Sequence, residues 1–189
     1  HFKVIYRSIF LILFLLIVSH CSGGGDGGSG RGVTNQGLVT LQGRVDDGLS
    51  MSPIANAQCR FTNLKGDQLA TVTADSRGEF RLYTPLEMQG WLVCTPGGFP
   101  NLALTTFVST VGAVAGGILP ANGLEEVSPG STVIAEMLAQ MLGQIAPSDL
   151  PARKAELVAA LQADDPDLTV LVKAGTDLFN AMQQQQITA

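Results

Sequence analysis

The sequence predicts an α+β protein, with a small antiparallel β-sandwich over residues 37–110, a linker at 111–130 and a C-terminal three-helix segment at 131–189. Three observations predict it. Between Gly37 and Thr110, apolar and polar residues alternate in short runs separated by turn residues, the pattern of strands with one buried face. After Ser128 the apolar spacing lengthens to that of amphipathic helices. Ahead of both, residues 22–32 read SGGGDGGSGRG, too polar and glycine-rich to join a core.

The first element is a leader at 1–20. Lys3 and Arg7 form a short basic region, followed by ten consecutive apolar residues from Ile9 to Val18 and then Ser19-His20-Cys21. That order is the layout of an export signal. The apolar run falls well short of the roughly 20 residues that a membrane-crossing helix needs. Val18-Ser19-His20-Cys21 resembles a bacterial lipobox, in which the cysteine is acylated and becomes the first residue of the mature chain; His20 stands where that pattern prefers a small residue. The resemblance implies a lipid bilayer partner through acylated Cys21, with 21–36 as a flexible tether. It also implies a place in the bacterial cell envelope, and Ser22 after the cysteine points to the outer membrane or cell surface.

Charge and histidine content narrow the function. The whole chain carries a net charge of −5, and a chain starting at Cys21 would hold nine basic against sixteen acidic residues. A nucleic-acid partner is not expected, because no basic footprint is available to displace phosphate counterions. The two histidines, His1 and His20, both precede Cys21, so a chain processed there lacks imidazole. Ser-His-Asp catalysis and His-ligated zinc are then out of reach. The sequence therefore predicts no catalytic residues, no metal and no cofactor.

Strands follow in order. Val39, Leu41 and Val45 alternate before an Asp46-Asp47-Gly48 turn; Ala57, Cys59 and Phe61 alternate with Gln58, Arg60 and Thr62. Lys65-Gly66-Asp67 turns the chain into Leu69–Thr73, Asp75-Ser76-Arg77-Gly78 turns it into Phe80 and Leu82, and Trp91–Thr95 ends at Pro96-Gly97-Gly98. Leu102 to Leu119 carries no charge, but its threonines and glycines argue for a last strand near Ala103–Val108 rather than a membrane span. In the Asp75 hairpin the carboxylate is placed to cap the turn, Gly78 to take positive φ and Phe80 to re-enter the core. A calcium role for Asp75, Ser76 and Glu79 is the alternative.

Gly43-Arg44-Val45, PIANAQCRF, TVTADSRGEFRL and GWLVCTPGGF together resemble the carboxypeptidase regulatory-like domain, a transthyretin-like sandwich. The match spans Gly37 to Phe99. The resemblance implies a non-catalytic module attached to surface proteins and enzymes.

Cys59 and Cys94 pair in an oxidising compartment if their side chains share a face. Leu92 pointing inward allows the bridge; Trp91 and Val93 pointing inward forbids it and leaves two small buried hydrophobes. Trp91, the lone tryptophan, is either core or a sugar-stacking contact.

Ser128-Pro129-Gly130-Ser131 starts the helical region. Ile134, Leu138, Met141, Leu142 and Ile145 mark a first apolar face, Leu150, Leu157, Val158 and Leu161 a second. Asp165-Pro166 supplies a cap and first turn for a third, with Leu168, Leu171, Val172, Leu178, Phe179 and Met182. The leading expectation is a membrane-anchored envelope lipoprotein whose sandwich binds, or structurally supports, an envelope protein or glycan. The alternative is a scaffold that docks a partner through its helices. A remote alternative is a carboxylate hydrolase, for which Glu125, Glu126, Asp164, Asp165 and Asp167 are the candidates.

Overall fold

The computed structural model describes residues 37–48 and 50–187. Among the described residues, two sheets of four strands each face one another and three helices follow them. The first sheet is centred on β1 (Leu38–Val45), paired antiparallel with β4 (Glu79–Pro85) on one side. Its other side is shared by two short parallel strands, β7 (Ile118–Leu119) beside Thr40 and Leu41, and β8 (Glu125–Val127) beside Gly43 to Val45. The second sheet runs in the order β3 (Gln68–Thr73), β2 (Gln58–Asn63), β5 (Gln89–Thr95), β6 (Leu104–Ser109).

The stretch 111–130, expected as a linker, thus contributes two strands to the first sheet. Each is too short to show a period, and a parallel ladder has no hairpin turn to announce it. Gly112 and Gly116 both sit at positive φ in the loop before β7.

Period-2 alternation fills the space between the sheets. Leu41, Val45, Phe61, Phe80, Leu82, Leu92, Leu104 and Val127 all point there and are buried. The Asp75 hairpin crosses from the second sheet to the first. One Asp75 carboxylate oxygen accepts the N–H groups of Arg77 and Glu79 at 2.8 and 2.9 Å, and Gly78 turns at φ 72° with its α-carbon against the Val45 carbonyl.

Helix α1 (Pro129–Met141) opens with a capping box in which Ser128 and Ser131 exchange side-chain and backbone bonds. A 3-10 turn at Pro147–Asp149 leads into α2 (Leu150–Gln162), and α3 (Pro166–Ile187) follows. Asp165 accepts the Asp167 and Leu168 N–H groups at the start of α3. Helices α1 and α2 lie on the outer face of the second sheet, where Ile134, Leu138 and Leu150 bury Phe107, and α3 packs against α1. Phe179 and Met182 of α3 belong to the same apolar cluster as the sandwich core, so sandwich and helices share buried surface. Among the described residues no helix is long and apolar enough to cross a membrane.

Candidate functional site

The second sheet has two unlike halves on its outer face. Over β6 the helices seal it. The Thr105 N–H donates to Thr132 Oγ1 at 2.8 Å, Ser131 Oγ donates to the Thr105 carbonyl at 2.9 Å, and Lys154 Nζ donates to the Phe107 carbonyl at 2.7 Å. These side chains occupy backbone groups at an edge that would otherwise stand open. Lys154 also pairs with Glu125, which in turn accepts a bond from Thr106 Oγ1.

Over β3 no described helix or strand covers the same sheet. β3 pairs with β2 and with no other described strand, and its sequence QLATVT holds no charge and no proline. Gln58, Arg60, Gln68, Thr71, Thr73 and Thr95 line a shallow groove of about 490 Å³ there. Register explains the lining, since Thr73, Gln58 and Thr95 stand in one cross-strand row and Thr71, Arg60 and Val93 in the next. The Arg60 side chain is exposed and has no ion-pair partner among the described residues. The arrangement offers hydroxyl, amide and one cationic donor to a polar ligand, with a free strand edge alongside.

The residues singled out from sequence fall as follows. Cys59 and Cys94 are register partners on β2 and β5, both inward and buried, and their sulfurs are bonded across a sequence separation of 35. Leu92 is the inward neighbour, and Trp91 and Val93 point to the other face. Trp91 lies under the helical layer, 5.5 Å from the Phe107 ring in an edge-to-face pair. That places it in a packing role, outside the lining of the groove. Cys21 lies outside the described residues.

The carboxylate candidates do not converge. Glu125 is held by Lys154 and Thr106, Glu126 accepts from Ser128 Oγ at 2.6 Å, and Asp165 caps α3. Asp75 spends its carboxylate oxygen on the hairpin N–H groups. Among the described residues no cluster of three or more acids, cysteines or histidines is placed to hold a metal.

Two acids have raised pKa values. Burial raises Asp46; the Gly48 N–H opposes that by donating to it at 2.9 Å, and nearby Glu126 adds to it. Burial alone raises Glu136 on α1. In the sequence Asp46 reads only as a turn residue and Glu136 gives no signal, and the threonines and glutamines of the groove read as ordinary solvent-facing strand positions.

No family model matches the chain, and no curated protein matches it. Among solved structures it aligns with a 9R-lipoxygenase from Cyanothece PCC8801 at 12% identity and a TM-score of 0.32, covering 71% of this chain and 26% of that one, a likeness too slight to support any argument.

Proposed function

We propose that the protein is an envelope lipoprotein, held by acylated Cys21, that presents a non-catalytic β-sandwich of the carboxypeptidase regulatory-like kind to a partner. The observation that carries this is the buried Cys59–Cys94 disulfide. A bridged pair in a small domain belongs to an oxidising compartment, which agrees with the export-type leader and the glycine-rich stretch before Gly37. The open half of the second sheet, with Arg60 and its threonines, supplies a polar surface for an envelope protein or a glycan. The apolar faces of α1 and α2 are spent on the protein's own sheet, which counts against a docking role for them. The engagement of Glu125 and Glu126 counts against the hydrolase reading.

Metabolic labelling with an alkyne fatty acid in expressing bacteria tests the reading. Label on the native chain and none on Cys21→Ala is the expected result. Equal absence of label on both would overturn it.

A further inference from the structure

The first sheet also has an outer face, and among the described residues no layer covers it. Along β1 that face changes character. At the C-terminal end of the strand, Arg44 stands between Glu79 and Glu126, and the next row pairs Gln42 with Arg81. At the N-terminal end, Thr40 stands between Tyr83 and Ile118, and Leu38 stands beside Pro85. Seven large hydrophobic residues are exposed among the described residues, and four of them gather at this end or in the loop beside it: Tyr83 at 62%, Val111 at 54%, Val114 at 75% and Ile118 at 48%.

The loop is fixed to the point where the chain comes into the domain. Gly116 N–H donates to the Leu38 carbonyl at 2.8 Å, Leu86 N–H to the Gly37 carbonyl at 3.1 Å, and Thr40 N–H to the Gly117 carbonyl at 2.9 Å. Gly112 is tied back to Glu87 Oε1 at 3.0 Å, which engages the nearby acid. No residue from Leu102 to Leu119 is charged, whereas the opposite end carries Asp46, Asp47, Asp75 and Arg77.

We propose that this end of the sandwich, Val111 to Ile118 with Tyr83, rests on the lipid bilayer surface. Exposed apolar side chains gathered at one end of a domain are a docking feature, and uncharged loops with aliphatic side chains and a tyrosine suit the boundary between headgroups and acyl chains. The occupant follows from where the chain outside the described residues leads. Gly37 stands sixteen positions after Cys21, which follows the apolar run Ile9–Val18. A chain held at Cys21 therefore reaches the domain at the apolar end and leaves the charged end and the Arg60 groove facing away. The inference rests on the anchoring reading above and adds an orientation to it.

The test uses the full chain in phosphatidylcholine vesicles. Val114→Trp and, at the charged end, Arg77→Trp each add an exposed reporter, with native Trp91 left in place and the parent chain as baseline. Brominated acyl chains are expected to quench the added emission of Val114→Trp at least roughly two-fold more than that of Arg77→Trp. Equal quenching, or none, in chains that float with the vesicles overturns the docked orientation and leaves the anchor standing. An emission at position 114 that is already blue-shifted without lipid and indifferent to bromine means that the chain's own apolar segment covers the patch, which also overturns it. Chains that stay out of the floating fraction overturn both readings.

Discussion

Single positions in this protein are constrained by backbone proximity and by buried charge. A Cβ placed on Gly90 would sit 1.8 Å from the Thr62 carbonyl oxygen, and no flexible side chain is there to yield. Gly90→Ala should therefore force β5 away from β2 and destabilise the fold by about 1–3 kcal/mol or more, measured by urea unfolding. Glu136 behaves differently. Its folded pKa lies above its unfolded value because burial disfavours the carboxylate. The folded state then binds the proton more tightly, so the residue subtracts stability above its folded pKa, and that penalty fades as pH falls through the folded pKa towards the ordinary glutamate range. Glu136→Gln should unfold at higher urea than the native chain at pH 7. The difference should shrink as pH is lowered to 4, and a constant difference would contradict the assignment.

Elements are held at their ends by short polar devices, which is why some were legible in the sequence and others were not. Ser128 both caps α1 and donates to Glu126. Ser128→Ala should cost about 1–2 kcal/mol in thermal unfolding. That cap, the Asp165 cap and the Asp75–Gly78 turn are local, so the residues that make them lie within a few positions of each other and can be read directly. Parity on β5 could not be read that way. The second sheet is buried on one face by the first sheet and on part of the other by helices, so Trp91 and Leu92 are both apolar and alternation does not say which turns inward. β7 and β8 were hidden because their partner, β1, lies some 75 residues or more upstream, and two- or three-residue strands carry no period. The groove was hidden because its residues come from three strands and are unremarkable one at a time.

Across the whole molecule, the disulfide and the shared core predict one cooperative body. Closing a loop with a separation of 35 residues removes denatured-state entropy worth about 3–4 kcal/mol on the chain-entropy account. The double variant Cys59→Ala, Cys94→Ala should lose about that much, read from chemical unfolding. Leu138 joins α1 to the outer face of the second sheet and is fully buried. Leu138→Ala should cost about 2–5 kcal/mol, and tertiary and helical signals should be lost together in one transition. Separate transitions would mean that the helices fold independently of the sandwich.

We propose that this disulfide-bonded body hangs from the envelope by a lipid on Cys21. Intact mass of the protein extracted from expressing bacterial membranes, with thiol alkylation before and after reduction, tests it most directly. The predicted result is a chain beginning at Cys21 and carrying a diacylglyceryl group, unalkylated as isolated and alkylated twice after reduction. A chain that retains residues 1–20, or one that lacks the lipid, would contradict it.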